Sequence, residues 1–193
     1  MRFEFVPLRE TDLPMLHEWL GRPHLREWWG PERTLEEVRE EYLPRIAGED
    51  AAEPYIASLS DEPIGYIQKY RAGAVAGWYP DDPGPGVWGI DQFLADGARL
   101  GRGLGTAMVS QFVDRLFRDP AVTEVRLDPH PENHRAIRCY EKAGFSRAGE
   151  IVTPDGPALL MCLVRRRPDA RVPGHALLPG RQREDPLADL EGL

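Results

Sequence analysis

Leu100-Gly101-Arg102-Gly103-Leu104-Gly105-Thr106, running into Ala107-Met108-Val109, is the stretch on which the fold turns. Glycines at every second position let a backbone lie against a ligand with no Cβ in the way, and the apolar run after them opens a helix. Successive N–H groups at such an opening point outward at the positive end of the helix dipole. By itself the stretch is either a plain glycine turn or a cradle for a pyrophosphate-bearing ligand. Its surroundings decide between the two.

Working outward, Val87 to Ala95 reads as a strand that enters the turn, and the helix that leaves it extends to about Phe117. Glu124 to Leu127 is a short strand and Glu132 to Lys142 a helix. Strands Ser146 to Val152 and Pro157 to Val164 flank the turn Thr153-Pro154-Asp155-Gly156. Toward the N-terminus, Phe3 to Val6 is a strand, Thr11 caps a helix to about Leu20, and Thr34-Leu35-Glu36-Glu37 is a capping box for a helix to about Ile46. Pro54 to Leu59 and Ile64 to Tyr70 form a strand pair around Ser60-Asp61-Glu62-Pro63, and the Gly/Pro/Asp-rich stretch 73–86 is loop. Strands meeting a glycine turn and helix midway give a mixed α/β class.

The 193 residues, 41% hydrophobic, suffice for one core-bearing domain, taken as 1–166, followed by an extension, 167–193, rich in Pro, Gly and Arg. Pro186 to Leu190 within the extension suits a short helix. The extension is either a solvated tail or an arm packed on the domain or on a second subunit, so the chain is a monomer or a homodimer. Cys139 and Cys162 cannot build a disulfide framework, and the expected setting is the reducing cytoplasm. Neither a signal peptide nor a membrane-spanning run is present in the sequence. Formal charge is −8, and up to Val164 there are 18 basic against 27 acidic residues, a net −9. That balance excludes nucleic acid as a partner and suits a cationic ligand, or solubility alone. His130 and His134 are separated by Pro131, and His17, His24 and His175 have no ligand spacing, so no metal is expected.

The glycine turn is followed some 30 residues later by Asn133-His134-Arg135-Ala136-Ile137-Arg138-Cys139-Tyr140-Glu141-Lys142-Ala143-Gly144-Phe145. This pair of motifs resembles the GNAT superfamily of acetyl-CoA-dependent N-acetyltransferases. Glu27-Trp28-Trp29-Gly30, Tyr42-Leu43-Pro44, Glu62-Pro63-Ile64-Gly65-Tyr66, Gly89-Ile90-Asp91-Gln92 and Thr153 to Ala158 resemble, more narrowly, the aminoglycoside 6′-N-acetyltransferases. The likeness runs from about His17 to about Met161. Leu100 stands where many superfamily members carry Arg or Gln, a small departure because backbone N–H groups bind there.

The resemblance implies a GNAT fold: a central mixed, mostly antiparallel sheet flanked by helices, with a splayed strand pair that holds acetyl-CoA. It implies acetyl-CoA as cosubstrate, its pyrophosphate on Leu100 to Thr106 and its pantetheine arm along Gly89 to Ala95. A bulge in that strand frees N–H groups to polarise the thioester carbonyl, and losing one such donor typically costs about 2.7 to 4 kcal/mol. Holding the two reactants together contributes on the order of 7 to 11 kcal/mol. No covalent intermediate is required.

Asp91 is the expected base, since an amine attacks only when neutral and a carboxylate beside it can take its proton. An ordinary Asp, near 3.9, is too weak a base, so burial or a carboxylate neighbour must raise it. Asp128, in Leu127-Asp128-Pro129, is either that neighbour or a turn residue. Tyr140 matches the family position facing the CoA sulfur, where a phenol can protonate the departing thiolate, although Ile137 and Tyr140 also fall at core spacing. Asn133 either caps its helix or contacts CoA. Trp28, Trp78 and Tyr79 are loop aromatics suited to a cationic aminosugar, with Trp29 beside Trp28 as core or pocket. Asp155 is an amine contact or simply a turn residue. The function implied is acetyl transfer to the 6′-amine of aminoglycoside antibiotics, conferring resistance. The alternatives are transfer to a siderophore lysine or other small amine, or a non-catalytic CoA-binding module.

Overall fold

The computed structural model describes residues 1–166; the 167–193 extension, with its expected helix at Pro186 to Leu190 and with His175, lies outside the described residues. Strands β1 (Phe3–Pro7), β2 (Glu53–Leu59), β3 (Glu62–Arg71), β4 (Val87–Leu94), β5 (Glu124–Leu127), β6 (Ser146–Thr153) and β7 (Gly156–Val164) form one sheet ordered β1-β2-β3-β4-β5-β7-β6. Every pairing is antiparallel except β4 with β5. Helices α1 (Leu13–Leu20), α2 (Pro23–Arg26), α3 (Leu35–Ala47), α4 (Leu104–Leu116) and α5 (His134–Lys142) cover it.

Two aromatic-rich cores divide the faces. On one, Leu13, Leu16 and Trp19 of α1 and Val38 and Tyr42 of α3 bury Tyr66 and Phe93. On the other, Val109, Phe112 and Val113 of α4 and Ile137 and Tyr140 of α5 bury Ile67, Ile90, Val125 and Leu127. The split follows strand alternation, which sends neighbouring side chains to opposite faces.

Thr34 caps α3 as its sequence implies, Oγ1 accepting from Glu37 N–H at 3.2 Å while Glu37 Oε2 accepts from Thr34 N–H at 2.6 Å. Thr11 is not a cap: it lies in a 3-10 turn, Glu10–Asp12, and Pro14 helps start α1 after it. The β2–β3 turn is tighter than its composition suggests. Ser60 and Asp61 adopt φ of 51° and 64°, which closes a two-residue hairpin and lets β3 begin at Glu62.

Candidate active site

The parallel ladder between β4 and β5 covers only Val87 to Gly89 against Glu124 to Arg126. From Ile90 on, β4 pairs with β3 alone while β5 follows β7, and the two strands splay. This splay, rather than the expected bulge, frees the β4 edge: the β3–β4 register is unbroken from Gly65↔Leu94 to Arg71↔Trp88, and the sheet's register shifts lie in the β2–β3 and β6–β7 pairings. A cleft of about 1430 Å³ passes through the opening.

Along one wall runs the glycine turn. Gly101 and Gly103 have φ of 74° and 79°, a left-handed conformation that costs other residues about 1 to 2 kcal/mol. Gly103 caps α4, and the first bond inside the helix, Ala107 N–H to Gly103 O at 3.0 Å, leaves the N–H groups of Leu104, Gly105 and Thr106 without a helical acceptor. Gly105 serves contact instead: a Cβ there would come 3.2 Å from Cys139 Sγ on α5. Leu100, Gly101, Gly103, Gly105 and Thr106 line the cleft, whereas Arg102 is exposed and Leu104 packs toward Met108. Asn133 caps α5, its Oδ1 accepting from Ala136 N–H at 3.1 Å, and also lines the cleft.

Consecutive residues of β4 serve opposite sides of the opening. Gln92 turns toward α5, where its Nε2 donates to the Tyr140 hydroxyl oxygen at 3.3 Å. With that oxygen accepting, the phenolic hydrogen is left for another group. Burial pushes the Tyr140 phenol well above its usual range, so it is a proton donor at neutral pH.

Asp91 turns the other way, with Phe93, and its Oδ2 accepts from Gln68 Nε2 at 2.7 Å. Gln68, 7% exposed, is oriented by Tyr66, whose hydroxyl donates to Gln68 Oε1 at 2.6 Å, and by Arg45 Nη1 at 3.4 Å. Burial raises the Asp91 carboxyl to about 7, with the charge of Asp128 adding to the rise and the Gln68 hydrogen bond opposing it. Asp128 is itself raised by burial and by Asp155, against the hydrogen bond that Trp78 Nε1 donates to its Oδ2 at 2.7 Å. Asp91, Asp128 and Asp155 thus stand in one cleft, and the carboxylate-neighbour role of Asp128 is what its surroundings fit.

Among the loop aromatics, Trp28, Trp29 and Trp78 line the cleft, and Trp28 lies against His130 with centroids 5.6 Å apart. Trp29 packs edge-on to Phe93 and Tyr66. Tyr79 corrects the expectation of a ligand-facing loop residue: it is buried with Tyr70, Ala72, Val87 and Leu160, away from the cleft, because 73–86 folds back on the sheet. Gln68, Arg45 and Glu41 line the cleft without any local motif to mark them, and Gln92, within the quoted Gly89-Ile90-Asp91-Gln92, lines it too.

Among the described residues, no group of three His, Cys, Asp or Glu side chains is placed to hold a metal, and no helix is long and apolar enough to cross a membrane. Three buried polar atoms lack a hydrogen-bond partner there, Trp28 Nε1, Arg45 Nε and Gln92 Oε1, and all belong to cleft-lining residues. Free N–H groups at the glycine turn, an unpaired strand edge and unpartnered polar atoms beyond it fit a long ligand carrying a phosphate end and an amide-rich arm.

Residues 9–153 match the family described as acetyltransferase (GNAT) domain. An aminoglycoside N(6′)-acetyltransferase type 1 of Klebsiella pneumoniae is 53% identical over 163 residues, 82% of this chain and 81% of its own length. A lysine N-acyltransferase of a Mycobacterium species is 30% identical over 164 residues, covering 83% of this chain and 66% of the relative. The crystal structure of AAC(6′)-Ib with coenzyme A and kanamycin superposes with a TM-score of 0.80 at 51% identity, over 85% of this chain and 95% of that one. The chain belongs to the GNAT acetyltransferases and, within them, to the aminoglycoside N(6′)-acetyltransferase family.

Proposed function

We propose that this protein transfers the acetyl group of acetyl-CoA to the 6′-amine of aminoglycosides by direct attack of the amine on the thioester, a reaction that removes a cationic centre from the antibiotic. The observation that carries the reading is Asp91, a carboxyl held by Gln68 Nε2 at 2.7 Å and raised to about 7, in the same cleft that the glycine turn lines. At neutral pH it is divided between its ionised and protonated forms, and so can first hold an ammonium group and then take its proton.

The chain's residues divide the chemistry. Backbone N–H groups of Gly101 to Thr106 hold the pyrophosphate. The open edge of β4 beyond Gly89 supplies N–H donors to the thioester oxygen as negative charge develops there. Asp91 passes the ammonium proton on to solvent and then accepts the proton that the nitrogen loses as it forms the new C–N bond, while the C–S bond breaks. Tyr140 gives its hydroxyl hydrogen to the departing sulfur. Asp128 and Asp155 attract the remaining ammonium groups of a polycationic acceptor, and the charge of Asp128 helps hold Asp91 high. Trp28 and Trp78 offer ring faces to the sugar. The acetyltransferase domain is taken as 1–166. Two free thiols, Cys139 and Cys162, suit a cytoplasmic setting.

Thiol release from acetyl-CoA, measured across 6′-amino aminoglycosides, siderophore lysine precursors and peptides, tests the reading. Release is expected with kanamycin-type acceptors and acetylation at the 6′ nitrogen. Turnover confined to lysine or peptide acceptors would contradict it.

A further inference from the structure

The β3–β4 loop sends a single side chain, Trp78, into the cleft, and part of what holds that loop lies outside it. Glu124, Arg126 and Asp128 alternate along β5 and its end. They share the face turned to the loop, while Val125 and Leu127 face the α4–α5 core. Arg126, 8% exposed, donates from Nη1 to Asp81 Oδ1 at 2.7 Å and from Nη2 to Asp81 Oδ2 at 2.9 Å. Its Nε donates to Glu124 Oε1 at 2.6 Å, and its guanidinium carbon lies 5.2 Å from the centre of the Tyr79 ring. One step further along the same face, Asp128 Oδ2 accepts from Trp78 Nε1 at 2.7 Å.

Loop and strand are therefore tied by two rungs, Asp81–Arg126 outside the cleft and Trp78–Asp128 inside it. A guanidinium fork engaged on three sides cannot rotate, and a bidentate carboxylate contact fixes direction as well as distance. We infer that Arg126 is a positioning residue for acceptor binding. The outer rung fixes where Trp78 meets Asp128, and that bond occupies one Asp128 oxygen and leaves Oδ1 for an ammonium group of the substrate. Arg126 touches neither reacting atom. The inference rests on the acetyl-transfer reading above.

Asp81→Asn tests it from the half-exposed end of the pair, where the sheet core is untouched. The KM for kanamycin, and its Kd by calorimetry, are expected to rise about five- to tenfold, with the acetyl-CoA KM within about twofold of wild type. Arg126→Met is expected to do the same. In a Trp78→Phe background, where the inner rung is already lost, Asp81→Asn adds nothing further, because the two changes remove one effect. Kanamycin binding indifferent to Asp81→Asn, or losses that simply add in the double variant, would overturn the inference. Kanamycin binding that depends on Asp81 without any turnover would instead count against the functional reading alone.

Discussion

On the donor side of the cleft the glycine turn offers backbone N–H groups, whereas the acceptor side offers side chains, Asp91, Asp128 and Asp155, carried by different strands and turns. Backbone donors stay neutral at every pH and are fixed by the geometry of residues 101 to 106. The carboxylates repel one another, resist burial as anions and need support from behind, which Gln68 gives Asp91 and Trp78 gives Asp128. One side is a rigid anion cradle; the other is a tunable set of charges. Substitutions on the two sides should therefore fail in different ways.

The largest separation is expected from Asp91→Asn, which removes the base and keeps the shape. Turnover should fall about 10²- to 10⁴-fold with little change in the acetyl-CoA KM. The same variant should gain stability at pH 8. A carboxyl raised from 3.8 to about 7 keeps its proton when folded but loses it when unfolded, so it costs stability increasingly as pH rises between those values. A melting curve at pH 8 lying below wild type would contradict the burial argument.

Tyr140→Phe should lower kcat roughly 10²-fold and leave kanamycin binding alone, as steady-state kinetics paired with calorimetry would reveal. On the cradle, Gly103→Ala forces φ of 79° on an L side chain, a penalty of about 1 to 2 kcal/mol. Equilibrium titration should show acetyl-CoA binding weakened about tenfold and aminoglycoside binding intact. If acceptor affinity fell equally, the two sides would not be separable.

Gln68→Leu is subtler. The Gln68 hydrogen bond favours the ionised carboxyl, so its loss should move the acidic limb of the rate profile to higher pH, with lost activity returning as pH rises. Asp155 is exposed, and Asp155→Asn should raise the aminoglycoside KM only a few-fold, in line with roughly 0.2 to 1 kcal/mol for a solvated charge, and less at high salt.

The same contrast governs what could be read from residues alone. Gly101, Gly103 and Asn133 act through local backbone and capping geometry, so contiguous sequence displays them. Asp91 was visible because a carboxylate in the middle of a largely apolar strand has no structural excuse. Gln68, by contrast, meets Asp91 only through the register Gln68↔Asp91, and nothing near it in sequence encodes that pairing. Tyr79 misled because a loop composition says nothing about which way the loop folds, and here burial against Tyr70 and Leu160 won over solvent. The splay of β4 from β5 was carried by the family resemblance and not by local residues, because it arises from where β5 leaves β4 for β7.

The pH dependence of thiol release from acetyl-CoA with kanamycin, compared between wild type and Asp91→Asn, bears most directly on a half-buried, raised carboxyl as the base. Wild type should climb through about pH 7 and then level, and the variant should remain low without that limb. An Asp91→Asn enzyme retaining the same limb at comparable rate would show that another group takes the amine proton.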